Sequence, residues 1–368
     1  MRHFFTLLIL ISFFLGCQDD KSSHKALTKP PLNSTTIIKG TDQELLFPQN
    51  HNKDTTLFID NQQFILSLSA ELDSTQKYSY TSYYVDEDSL PRKELFQGFD
   101  ARYKFRLKDK DNKIVFTTTL NKGDFKAITD NSILAESDAI LPRFIGFLPK
   151  FNAFIFTVEF WVPDSDVGEQ SFFMMNRKGE IIEKSFNNYY GGGDSDGAIE
   201  ISSKQDFILT CNKVIHSNGK VIRFDNKRIW QIGSKLINDN CILDIKEYND
   251  SIKKANAVLM TPFGKILKKF VYRGYYNELG NVVPKYYDNK TNNYYLLDEE
   301  LASLWVINKQ NPTSIYSVSF DEMEEAEGTM RKDEIKFMID TESSKNKFYA
   351  NIKTQKIRHS KTKEQLQE

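Results

Sequence analysis

From Leu57 onward the chain is a succession of short runs in which aliphatic, β-branched and aromatic residues alternate with polar ones, broken by Asn, Asp, Gly and Pro. Runs such as 64–72 (FILSLSAEL), 102–107 (RYKFRL) and 154–162 (FIFTVEFWV) follow the two-residue period of a strand, whose successive side chains point to opposite faces. No stretch sustains a helical period. The one helix-prone acidic piece, Asp321 to Glu327, is short and lies between strand-like runs. The pattern predicts an all-β fold.

The spacing of the turns narrows that class. Asn176-Arg177-Lys178-Gly179, Ser217-Asn218-Gly219-Lys220 and Pro262-Phe263-Gly264-Lys265 each join two apolar strands, the chemistry of tight hairpins that need a positive φ at glycine. Their glycines are 40 and then 45 residues apart. A fourth hairpin, without glycine, is expected at Asn308 to Pro312. Between successive hairpins lie two more strand candidates: 198–202 and 206–211, then 234–237 and 241–245, then 282–287 and 293–297. Four strands in every 40 to 47 residues is the period of a propeller blade. Residues 139–186 form a comparable unit, 57–120 a longer one ending in a hairpin at Lys108 to Lys113, and 334–339 with 347–352 supply the last strands. The expectation is a β-propeller-like array of four-stranded units, five or six in number, although the units share no Trp-Asp dipeptide. The alternative is an N-terminal β-sandwich of residues 53–165 followed by a second β domain. In domain terms, 53–130 is an N-terminal β region, 131–358 holds the repeated units, and 359–368 reads as a polar tail.

The start of the chain has a different texture. Arg2 and His3 precede Phe4 to Leu15, twelve residues with Thr6 and Ser12 as the only polar ones. As a helix, twelve residues rise about 18 Å, well short of a hydrocarbon core of about 30 Å, so the run is a secretory signal rather than a span. It closes with Leu15-Gly16-Cys17, which resembles the lipobox of bacterial lipoproteins. That resemblance implies cleavage after residue 16, diacylation of the Cys17 thiol and acylation of the new amino terminus. Residues 17–52, with Lys29-Pro30-Pro31 and many Ser and Thr, read as a lipidated flexible tether. The segment Gln18-Asp19-Asp20-Lys21 is similar to the acidic export signal that carries some lipoproteins across the outer membrane. The expected location is therefore the cell envelope, as an outer-membrane lipoprotein with surface exposure the open question. The expected partners are the membrane, through the lipid, and a glycan, a peptide or another envelope protein.

Charge and reactive side chains exclude more than they assign. The 49 basic and 50 acidic residues balance, which removes the electrostatic drive toward nucleic acid. Besides Cys17 there are two cysteines, Cys211 and Cys241, each in an apolar run. They are candidates for a disulfide in an oxidising compartment, or for two buried free thiols. Histidine is scarce. His216 stands just before a hairpin turn, His359 falls in the expected tail, and no zinc-like cluster is present. Asp164 and Asp166, and Asp194 and Asp196, put alternate carboxylates beside glycine as calcium loops do, yet neither completes an EF-hand, and the same residues serve ordinary turns. Tyrosine occurs in doublets, and in a strand a doublet sends one ring to each face. Tyr189, Tyr190, Tyr286 and Tyr294, with Trp305, are the candidate ligand-facing aromatics. Tyr189-Tyr190-Gly191-Gly192-Gly193 is the expected functional loop. No catalytic residue and no cofactor is indicated. The expected function is a lipid-anchored envelope protein whose β domain serves binding or assembly. An exported hydrolase of glycans or peptides, with two carboxylates facing across a cleft, is the alternative.

Overall fold

The computed structural model describes residues 36–37, 51–85, 90–187, 199–224, 231–248, 254–277, 280–341 and 343–363. Cys17, Tyr189, Tyr190, Asp194, Asp196 and the run of three glycines lie outside the described residues. The chain is all-β, and its strands assemble into a propeller-like array of four-stranded units.

The first sheet carries β1 (Thr36–Ile37) as a short parallel edge strand and then an antiparallel meander of β2 (His51–Ile59), β3 (Gln62–Val85), β4 (Pro91–Asp109) and β5 (Ile114–Asn121). The second is the meander of β6 (Arg143–Leu148), β7 (Ala153–Trp161), β8 (Gly168–Asn176) and β9 (Ile181–Asn187). The third runs β10 (Glu200–Ile201), β11 (Phe207–Leu209), β12 (Lys213–His216) and β13 (Val221–Arg223). The fourth runs β14 (Gln231–Asn238), β15 (Cys241–Lys246), β16 (Ala257–Met260) and β17 (Ile266–Phe270). A two-stranded ribbon, β18 (Tyr275–Asn277) and β19 (Gly280–Val282), leads to the fifth sheet: β20 (Lys285–Asp288), β21 (Asn293–Asp298), β22 (Ser303–Asn308) and β23 (Tyr316–Ser319). In the sixth, β24 (Glu324–Glu325) runs parallel beside β27 (Ile357–Lys363), which continues through β26 (Ser344–Asn351) to β25 (Glu334–Asp340).

Five hydrophobic cores among the described residues join these sheets in sequence order, and the pleat explains how. In β7, Phe154, Phe156, Val158 and Phe160 enter the core shared with the first sheet, while Ala153 and Ile155 enter the core shared with the third. Strand β11 divides in the same way: Ile208 faces the second sheet, and Phe207 and Leu209 face the fourth. Strand β21 sends Tyr294 and Leu296 toward the fourth sheet and Tyr295 and Leu297 toward the sixth. A strand covered on both faces reads as a continuous apolar run rather than an alternating one. Residues 154–162 are such a run, so the alternation expected there is replaced by burial on both sides.

The outer sheets keep the alternation. In β3, Leu66, Leu68 and Ala70 are buried, and in β25 only Phe337 and Ile339 are. The first core is dominated by rings, with Phe105 edge-on to Phe156 at 5.0 Å and to Phe173 at 5.5 Å. Edge-to-face pairs of this kind contribute about 0.5–1.5 kcal/mol each beyond their buried area. That core covers the first sheet with the second, and a further core joins the second to the third, so the array continues sheet by sheet and residues 53–165 do not stand apart as a sandwich.

Several local expectations are corrected. The run at 282–287 is not one strand, because Pro284 supplies no amide proton and separates β19 from β20. The hairpin expected at 308–312 is a wider connection holding a 3-10 turn at Pro312–Ser314. The acidic piece after Asp321 forms a 3-10 turn at Phe320–Glu322 followed by β24, not a helix. A short helix, α1 (Asn131–Glu136), begins where Asp130 accepts the Ser132 amide at 2.7 Å. The polar tail is also displaced, since residues 359–363 belong to β27 and pair with β26 from Ser344 to Phe348.

The three hairpin glycines do adopt the expected conformation, with φ of 82° at Gly179 and 85° at Gly219 and Gly264. One further feature is a projecting arm. After a bulge at Asp73, where the side chain accepts the Thr75 amide at 3.1 Å, β3 and β4 continue as a two-stranded ribbon from Lys77 opposite Phe99 to Val85 opposite Pro91.

Candidate functional site

A cleft of about 560 Å³ opens at one end of the joint between the fifth and sixth sheets. Three connections converge on it: the β20–β21 turn, the β22–β23 connection and the β26–β27 turn. Two are built around asparagine and one around aspartate, whose side chains hold backbone groups that the sheet leaves unpaired. Asn308 Oδ1 accepts the amides of Gln310 at 2.9 Å and Asn311 at 3.0 Å. Asn351 Oδ1 accepts those of Lys353 and Thr354 at 3.0 and 2.9 Å. In the first turn the buried carboxylate of Asp288 takes the Thr291 amide and hydroxyl at 2.6 and 2.7 Å.

These turns present a connected row of amides to the cleft. Asn308 Nδ2 donates to Asn293 Oδ1 at 2.8 Å, and Asn293 Nδ2 donates to the Tyr295 hydroxyl at 3.2 Å. On the far side Asn311 Nδ2 donates to Ser314 Oγ at 2.7 Å. Tyr316 belongs to the same lining. Burial first, and the neighbouring Tyr295 second, push its hydroxyl up to about 12, so it is protonated at any physiological pH. That hydroxyl has no hydrogen-bond partner among the described residues. Ile352, half exposed, and the edge of the Tyr316 ring add apolar surface. Lys290 is the one charged side chain of the lining, and no carboxylate, histidine or cysteine reaches it. Fixed amides, a free phenol and small apolar facets suit a neutral ligand rich in hydroxyl groups.

The residues singled out from sequence lie elsewhere. Tyr286 stacks on Phe337 at 4.8 Å with the planes 3° apart, in the core between the fifth and sixth sheets. Tyr294 is buried against Tyr287 at 4.4 Å, and Trp305 packs on Phe270 at 4.5 Å, both in the core between the fourth and fifth sheets. All three therefore belong to inter-sheet packing and not to a ligand-facing mouth. The doublets at 286–287 and 294–295 do split to opposite faces, but with a neighbouring sheet on each side both faces are interior.

Asp164 and Asp166 sit in the β7–β8 turn, which is closed by Val162 and Val167 at 2.9 Å and by Ser165 Oγ bonded to Val162 O. No group of three or more metal-ligating side chains forms among the described residues. Cys211 and Cys241 are both buried free thiols, Cys211 beside Phe186 of β9 and Cys241 in the core between the fourth and fifth sheets. His216 is likewise interior, stacked on Phe263 at 4.6 Å, with its Nε2 3.1 Å from Pro262 O. An apolar gap of about 10 Å³ among Leu243, Ile245, Val283 and Leu296 is too small for anything beyond a single water.

No family model matches the chain, and no curated protein sequence does. Among solved structures, a streptogramin B lyase overlaps 82% of this chain and 88% of its own at 12% identity and a TM-score of 0.26. A eukaryotic initiation factor overlaps 92% of each chain at 7% identity and a TM-score of 0.31. Citrobacter koseri AztD overlaps 85% of this chain and 90% of its own at 8% identity and a TM-score of 0.27. At such scores the architecture rests on the chain's own strand pairing and serial cores.

Proposed function

We propose that the protein is a lipid-anchored component of the cell envelope whose β array binds a neutral glycan segment in the amide-lined cleft between the fifth and sixth sheets. The observation that carries the binding reading is the lining itself: amides held in place by turn hydrogen bonds, the unpartnered Tyr316 hydroxyl, and a single cation. Sugar hydroxyls both donate and accept, as amides do, and the C–H face of a pyranose fits facets such as Ile352 and the Tyr316 ring. Hydrolysis would need a pair of carboxylates across the cleft, and the lining offers none.

The anchor reading rests on the signal-like start and Leu15-Gly16-Cys17. Several acyl chains contribute about 0.8 kcal/mol per buried methylene, enough for firm attachment.

Two experiments test the two halves. Titration of the full-length chain, in non-ionic detergent, with neutral oligosaccharides should give saturable binding. Tyr316→Phe and Gln355→Ala, the latter removing an exposed amide of the β26–β27 turn from the cleft lining, should each weaken it several-fold while leaving the unfolding midpoint in place. Absence of binding, or binding indifferent to both substitutions, refutes the glycan reading. For the anchor, Cys17→Ala should abolish incorporation of labelled palmitate and leave an uncleaved precursor; normal acylation of that variant refutes it. Protease shaving of intact cells, with and without replacement of Asp19 and Asp20 by alanine, then decides whether the body faces outward.

A further inference from the structure

A second cleft, of about 340 Å³, lies well away in the sequence from the amide-lined one, where the link after the first sheet meets β9 and the β11–β12 turn. Its charged lining is wholly cationic and comprises Lys126, Lys184, Lys213 and Arg223. Lys213 is fully buried and neutralised by Glu183 at 2.5 Å. Lys184 donates to the Asp124 carbonyl at 2.5 Å and stands 5.8 Å over the Phe125 ring. Lys126 and Arg223 are exposed, and neither side chain has an ion pair or hydrogen bond among the described residues. Three positive charges thus converge on a small concavity without a compensating carboxylate, which repels its own members unless an anion enters.

A separate observation points the same way. Ser185 belongs to the lining of this cleft and is 7% exposed, and its hydroxyl oxygen is buried just beneath with no hydrogen-bond partner. Asn212 is part of the same lining, and its Oδ1 is also buried and unpaired. An unpaired buried polar group costs about 1–3 kcal/mol, so the fold alone does not account for two of them in one place. A hydroxyl donor, an amide that can present its N–H₂ end, and three uncompensated cations form a donor set approaching from several directions. Such a set matches a phosphate, with three acceptor oxygens and up to two charges, better than a planar carboxylate with two. The volume leaves room for a small organic group beyond the phosphate.

We infer that this cleft is a binding site for a small phosphate ester. The test uses the full-length chain in non-ionic detergent, titrated calorimetrically with inorganic phosphate and with pyrophosphate at constant ionic strength. Pyrophosphate should bind saturably, one per chain. The double variant Lys126→Ala, Arg223→Ala removes two side chains that hold nothing in the fold, and it should weaken that binding about tenfold or more. Ser185→Ala should weaken it several-fold. If the hydroxyl is only an unpaired core group, the same substitution raises the unfolding midpoint and leaves the anion titration untouched, which overturns the inference. Heats no larger than those of a sodium chloride control overturn it as well. Flotation with phosphatidylglycerol vesicles against phosphatidylcholine vesicles separates the source of the phosphate. Capture by the anionic vesicles without any pyrophosphate binding means a membrane surface, and the small-ligand site is then refuted.

Discussion

His359 offers the sharpest test of the structure, because its environment fixes both the sign and the size of an acid effect. The ring lies in β27 between Phe320 at 4.1 Å and Phe348 at 4.7 Å. Asn346 spends its Nδ2 on Ser344 Oγ at 2.8 Å, so its Oδ1 faces the ring and accepts from Nε2 at 3.0 Å. Burial first, and Lys361 second, press the imidazole down from 6.5 to about 4. The unfolded chain therefore takes up a proton near pH 6.5, while the folded chain refuses it until about pH 4. Stability from this residue is complete above pH 6.5 and drains away as the pH falls toward 4.

At about 1.36 kcal/mol for each pH unit of that gap, the ceiling is about 3.4 kcal/mol. Partial exposure of the ring screens some of this, and attraction of an imidazolium to the two flanking rings offsets about 0.5–1 kcal/mol more. A net loss of about 2 kcal/mol remains. Urea unfolding at pH 7 and pH 4 should show the parent losing about that much more than His359→Gln, which carries no titrating ring. The resonances of His359, identified by their absence in the variant, should titrate near pH 4. Titration at pH 6 or above, or equal acid losses in both proteins, would refute the reasoning.

Other perturbations have equally definite expectations. Gly179→Ala and Gly219→Ala both force alanine to a positive φ, at about 1 kcal/mol. At Gly179 the new methyl also collides with Thr118 Oγ1 and the Phe116 ring, whereas at Gly219 it meets open space. The first should cost about 2–4 kcal/mol by denaturant unfolding and the second about 1, and equal costs would contradict the turn packing. Glu334→Gln breaks the buried pair in which Arg358 bonds both carboxylate oxygens, Nε to Oε1 at 3.0 Å and an amino nitrogen to Oε2 at 2.7 Å. It should cost about 3–5 kcal/mol in the same assay, and a loss under about 1 kcal/mol would mean the pair is open to water. Arg358 also holds the Glu334 carboxyl below its usual range, so this contribution is present above the ordinary glutamate value and fades only at more acidic pH.

What the sequence disclosed was mostly backbone. Glycine at the hairpin positions and alternation in β3 and β25 are local properties, and the all-β class and the repeat follow from them. What it concealed depends on neighbours. Tyr286, Tyr294 and Trp305 were read as facing a ligand because a pleat has two faces. Only the stacking of a sheet on each side makes both faces core, and the unbroken apolar texture of 153–156 and 207–209 is the signal of it. His359 and the residues after it looked like tail because Ser360, Lys361 and Thr362 are polar; backbone pairing with β26 overrides that composition. The amide-lined cleft was missed because Asn293, Asn308 and Asn351 are ordinary turn residues one at a time. Their significance comes from three turns, about 60 residues apart at the extremes, ending at one place.

The serial order of the cores gives the cleft a dynamic role. Among the described residues each inner sheet is held by two cores and each end sheet by one, and the core of the sixth, shared with the fifth, has fewer buried residues than the core of the first. Loss of order is then cheapest at that last joint, which frays before the middle of the array does. The amide-lined cleft straddles the same joint. A ligand bridging Asn308 on one side and Asn351 on the other acts as a clasp, deepening the closed state by an amount that grows with the logarithm of its concentration over its dissociation constant. Occupancy would be read out as slower amide exchange across β25, β26 and β27, so that the weakest joint doubles as the sensor of what is bound.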